Sequence, residues 1–63
     1  MVDYTKLDNR ILRDTELSFE DKGVYAMSEA LCSTNADVIA KHTTSSVEDI
    51  KASLARLKDK GII

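Results

Sequence analysis

The sequence predicts a mainly helical fold, and three observations predict it. The chain has 63 residues with no proline and only two glycines, too few turn formers for a sandwich or barrel of many short strands. Apolar residues recur at helical spacing, most clearly at Val47, Ile50, Leu54 and Leu57. Each such run follows a Ser or Asn placed to cap a helix. The expected architecture is a single domain over residues 1–63: three helices in a helix-turn-helix arrangement, with at most a minimal pair of strands.

The elements follow in chain order. Tyr4-Thr5-Lys6-Leu7 alternates polar and apolar and reads as a short strand. Asp8-Asn9 breaks it, and Asn9 is expected to cap one helical turn that tucks Ile11 and Leu12 inward and leaves Arg10 and Arg13 wet. Ser18 caps the next helix, with Asp21 three residues on as in a capping box. That helix is expected over Phe19–Cys32, with Phe19, Gly23, Met27, Ala30 and Leu31 on one face and Val24 beside them. Gly23 inside it costs about 1 kcal/mol against alanine, which predicts close approach of another backbone. Asn35 caps a short helix through Ala36, Val38, Ile39 and Ala40, ending near His42. Thr43-Thr44-Ser45-Ser46 is turn and cap rather than helix interior. Ser45 or Ser46 then starts a helix over 46–60. Lys58 and Lys60 suit its negative end, Gly61 fits a left-handed C′ position, and Ile62 is placed to fold back on the last turn.

Composition removes several classes of function. The 43% apolar content is too high for a disordered tail. Cys32 is the sole cysteine, so no intramolecular disulfide exists, and a cytoplasmic location is expected. His42 is the sole histidine and no CxxC or HxxxH spacing occurs, so neither a structural zinc site nor a cofactor is expected. The start Met-Val-Asp-Tyr-Thr-Lys has no apolar run behind it and does not read as a signal peptide. No stretch approaches the roughly 18 apolar residues of a membrane span. Net charge is −2, with residues 1–33 acidic and residues 34–63 slightly basic. No catalytic set assembles: Cys32 and His42 flank the short helix and read as a helix-end and a turn residue. Glu48 and Asp49 are adjacent on a helix, pointing about 100° apart, and read as solvated charges at its N-terminus. The chain is not expected to be an enzyme.

The last 27 residues carry the functional signal. A short helix, a tight turn and a longer amphipathic helix form the layout that lets the first turns of a second helix enter a DNA major groove. Ile39-Ala40-Lys41, the Ser46 cap, Val47, Leu54 and Leu57, and the closing Lys60-Gly61-Ile62-Ile63 resemble the winged-helix pattern of many bacterial and phage regulators. Tyr4–Asp14 ahead of Leu17-Ser18-Phe19-Glu20-Asp21-Lys22-Gly23-Val24-Tyr25 resembles the N-terminal winged-helix domain of phage and plasmid replication-initiation and replisome-organiser proteins. The resemblance implies a winged-helix-like fold, with the wing absent or truncated because Gly61-Ile62-Ile63 stands where a wing hairpin begins. Ile62-Ile63 is then placed to pair with Tyr4–Leu7 or with another subunit.

The resemblance also implies a non-catalytic module that binds duplex DNA in replication initiation or transcription regulation. Carried over by position, Ser45, Ser46, Val47, Glu48, Lys51 and Ala52 would lie at the groove-facing start of the recognition helix. Lys41, Thr43 and Thr44 would lie near phosphates, with Arg56 further along. The alternative reading is a protein-interaction or dimerisation module of the same shape, with a homodimer or a replication or regulatory protein as partner. The acidic balance and the Glu48-Asp49 start of the last helix favour it.

Overall fold

The computed structural model describes residues 4–63 and contains four helices: α1 (Asn9–Leu12), α2 (Phe19–Leu31), α3 (Ala36–Ala40) and α4 (Val47–Asp59). α2, α3 and α4 pack on one another in a helix-turn-helix arrangement, and α1 is a single turn laid against their core. No strand occurs among the described residues. Tyr4–Leu7 is therefore not a strand, and it does not pair with Ile62-Ile63. Met1, Val2 and Asp3, part of the expected non-signal start, lie outside the described residues.

Caps set most boundaries. Ser18 Oγ accepts from the Asp21 amide at 3.1 Å and starts α2, Asn35 Oδ1 accepts from the Asp37 amide at 2.9 Å and starts α3, and Ser46 Oγ accepts from the Asp49 amide at 3.1 Å and starts α4. α1 starts one residue earlier than expected. Asp8, not Asn9, is its cap, because the Asp8 carboxylate accepts from the Arg10 amide at 2.8 Å while the Asp8 amide donates to Tyr25 Oη at 2.9 Å. That second bond ties the N-terminal segment to α2.

α2 and α4 end alike. In each, an amide just past the helix reaches back five residues: Ser33 to the Ser28 carbonyl at 3.1 Å, and Ile62 to the Leu57 carbonyl at 2.9 Å. The C′ residue must then be left-handed. Gly61 (φ 74°) fills that role after α4, and Ile62 folds back onto the core as expected. After α2 the role falls to Cys32 (φ 51°), so α2 stops at Leu31 and Cys32 is not its last residue. α3 stops at Ala40, since Lys41, His42 and Thr43 bond back by three residues rather than four.

The core is Leu17, Val24, Tyr25, Ala36, Ile39, Ile50 and Leu57, flanked by partly buried residues including Ile11, Leu12, Val47, Leu54 and Ile62. α4 buries the stripe read from its sequence, with Ser53 fully enclosed between Ile50 and Leu57. α2 does not. Its inward face is Asp21, Val24, Tyr25 and Ser28, while Phe19 is 95% exposed and Gly23 and Ala30 are exposed as well. Of the expected face, Val24 is buried and Met27 and Leu31 pack against the core at partial exposure, so the buried face is rotated by roughly a third of a turn from the expected one. A Cβ built on Gly23 meets nothing within 4 Å, so among the described residues no backbone approaches it closely.

Two stability outcomes are expected. Leu57→Ala lowers unfolding free energy by roughly 2–5 kcal/mol, and half-buried Leu54→Ala costs less, both read by urea denaturation. Equal, negligible losses would contradict the packing of α4. Cys32→Gly, which relieves a left-handed side-chain-bearing residue, raises stability by about 1 kcal/mol, whereas a loss would mean that φ at this position is not strained.

Candidate nucleic-acid interface

The candidate surface runs from the end of α3 through the turn into the first turns of α4. Lys41, Thr43, Thr44, Ser46, Glu48, Lys51 and Ala52 are all exposed along it. The turn is built by its own hydroxyls: Thr43 Oγ1 accepts from the Ser45 amide at 3.1 Å, and Ser46 Oγ caps α4. Thr43 and Ser46 therefore present side chains whose orientation is already set. Ser45 is half-buried and its hydroxyl faces Glu20 Oε2 of α2 at 3.5 Å.

Besides Ser45, two more of the expected contact residues sit differently from the rest. Val47 packs against the core at partial exposure, so its role at the start of α4 is to anchor the helix. Arg56 is committed within the protein. Its Nη2 lies 2.7 Å from Asp21 Oδ1, its Nε lies 3.0 Å from both carboxylate oxygens, and Nη2 also donates to Ser53 Oγ at 3.2 Å. The Asp21 side chain is 3% exposed and the Arg56 side chain 53%. This cluster joins α2 to α4 across 35 residues of sequence. Sequence reasoning took Asp21 as a capping-box residue alone. The available signal was Ser53, a small polar residue in register with Ile50 and Leu57, which demands a polar partner inside.

The electrostatics follow from this geometry. The Arg56 guanidinium holds the Asp21 carboxyl below its usual range against the opposing cost of burial, with smaller help from the Ser53 hydroxyl and the Ser18 amide. Asp21 in turn raises Arg56. Among the described residues, Lys41 and Lys51 make no ion pair, so they are the cations left free on the candidate surface. Glu48 and Asp49, also exposed, balance them at the N-terminus of α4, where the helix dipole favours acids.

Beside the turn, between α2 and the start of α4, lies an open groove of about 310 Å³ lined by Phe19, Gly23, Met27, Ile50, His42 and Thr43 among others. Its titratable side chains are Glu20 and His42. Cys32 is exposed at the far end of α2 and does not join it. No group of three or more His, Cys, Asp or Glu that could hold a metal occurs among the described residues, and no helix there is long and apolar enough to cross a membrane.

The Asp21–Arg56 pair predicts a particular pH dependence. With Asp21 depressed below its unfolded value, its contribution is present at neutral pH and lost as pH falls through the folded pKa. Arg56→Gln strands a buried carboxylate, whose pKa then rises, so the variant's deficit is greatest near neutrality and shrinks in acid. Asp21→Asn leaves the cation half in water and costs less. Thermal melts from pH 7 to pH 3 should show the wild-type and Arg56→Gln curves converging; parallel curves would mean the pair contributes nothing.

No protein family, curated protein or solved structure matches this chain.

Proposed function

We propose that the chain is a non-catalytic module that binds duplex DNA through the α3–turn–α4 unit, serving replication initiation or transcription regulation in the cytoplasm of a bacterial or phage system. The observation that carries this reading is the pre-ordered turn. Thr43 and Ser46 are fixed by their own backbone bonds, and free Lys41 and Lys51 stand on either side of them. Hydroxyls and lysines in that order suit phosphate oxygens, and a capped second helix with a polar outer face suits a major groove. Thr44 is exposed in the same turn, Ala52 offers a small apolar contact for a thymine methyl, and Glu48 can accept from cytosine N4. Ser45 and Val47 support the surface from beneath.

One observation favours the second reading, a protein-interaction module that does not bind DNA. With Arg56 held by Asp21, Lys41 and Lys51 are offset by Glu48 and Asp49, and the surface offers DNA little net charge.

Titration of labelled random-sequence duplex at low salt separates the two. Binding should fall steeply with salt, and Lys41→Ala and Lys51→Ala should each weaken it and reduce the salt slope by about 1. Absence of binding at tens of micromolar protein, or lysine variants that leave affinity and slope unchanged, would overturn the DNA reading.

A further inference from the structure

The orientation of α2 leaves an apolar face without a partner. Opposite the buried Asp21, Val24, Tyr25 and Ser28, the helix exposes Phe19, Gly23 and Ala30 beside a half-buried Ala26, with Met27, which packs partly on the core, at one edge. Phe19 is 95% exposed, the most exposed of the large apolar side chains among the described residues. Gly23 adds an unexplained cost. A mid-helix glycine is unfavourable, and nothing among the described residues occupies the space its missing side chain leaves. Small residues at these positions let a second helix come close.

Charge identifies that second helix. Lys22 and Glu29 lie together along the edge of the face opposite Met27, and among the described residues neither makes an ion pair. In a two-fold antiparallel pair of identical helices, each edge meets the same edge of the other copy, running in reverse. When the axis passes between Tyr25 and Ala26, Lys22 of one copy stands level with Glu29 of the other, and the pairing occurs twice. In the same register the outward residues interleave. Ala30 of one copy falls between Phe19 and Gly23 of the other, and the two Ala26 residues meet near the axis. One register thus satisfies the charges and interdigitates the apolar positions.

We propose that the outward face of α2 is the interface of a homodimer, formed by antiparallel packing of α2 on its copy about a two-fold axis near Ala26, with reciprocal Lys22–Glu29 pairs. The proposal does not rest on DNA binding, because Lys22, Ala26, Glu29 and Ala30 are not among the residues assigned to DNA, although Phe19 and Gly23 border Thr43 across the groove beside the turn. A single helix pair lies at the small end of specific interfaces, so the dimer is expected to dissociate at about 1–100 μM.

Sedimentation equilibrium of the full chain over about 1 μM to 1 mM reads the mass directly. A rise from monomer to dimer is expected, and a monomer throughout overturns the proposal. Gly23→Leu removes the close approach while improving helix propensity. It should weaken the dimer at least 10-fold with the melting temperature of the dilute monomer unchanged or higher, and an undiminished dimer would place the interface elsewhere. Lys22→Glu alone and Glu29→Lys alone should each weaken association at low salt, and K22E combined with E29K should restore it. Failure of the double variant to restore association rejects this register. Fluorescence anisotropy of labelled duplex with Gly23→Leu, at concentrations where the chain is monomeric, keeps the outcome separate from the DNA reading.

Discussion

The bond between Asp21 and Arg56 decides which way α2 faces. A carboxylate at the third position of a helix ordinarily points to solvent and favours the dipole. Here it turns inward, because the guanidinium from α4 meets it along with the Ser53 hydroxyl, and the polar atoms in the crossing are satisfied. Once Asp21 is inside, Val24, Tyr25 and Ser28 follow it in by helical spacing, and Phe19 and Gly23 are carried out. The pair is asymmetric, with the acid buried and the base half in water. Its value is therefore less in net stability than in the high cost of any packing that leaves Asp21 enclosed without Arg56.

The remaining contacts are consistent with that rotation. Tyr25 enters the core and its hydroxyl accepts the Asp8 amide, which fixes where α1 lies. Ser28 is enclosed and returns its hydroxyl to the Tyr25 carbonyl at 2.7 Å, so burying a polar residue there leaves no orphan. At the other end, Lys60 reaches Asp14 at 3.5 Å and Glu16 at 3.4 Å and holds the end of α4 against the loop before α2. Asp14 is already held acidic by the Glu16 amide, and Lys60 adds to it. A chain this short has few apolar residues to enclose, and these polar ties close the loops that its core does not reach.

What the sequence made legible was local. Ser18, Asn35 and Ser46 announce helix starts because a cap is a matter of two or three neighbouring residues, and Gly61 announces an end for the same reason. The stripe on α4 was readable because only one of its faces is apolar. α2 has two plausible apolar faces, and the choice between them rests on a partner 35 residues away, which no local pattern carries. Cys32 escaped as a helix end because its left-handed backbone contradicts residue preference. The expected strand at Tyr4–Leu7 had alternation but no neighbouring strand to pair with, and alternation alone satisfies no backbone group. In the candidate site, the turn hydroxyls and the two lysines were legible from position. The withdrawal of Arg56 was not, since it depends on the same distant pair.

That withdrawal bears on how the module can work. A helix-turn-helix surface gains affinity mainly from phosphate contacts, and here the α4 arginine is used to set the packing of α2. The cost of orienting α2 is thus a loss of charge on the candidate interface. The same rotation exposes Phe19 and the small residues beside it. If α2 pairs with its copy, each dimer carries two α3–turn–α4 units, and binding that is weak for one unit is reinforced by the other when both sites are reached together. Internal anchoring of Arg56 and exposure of the α2 face are then two consequences of one helix rotation: the first reduces what a single unit can hold, and the second supplies a means of joining two.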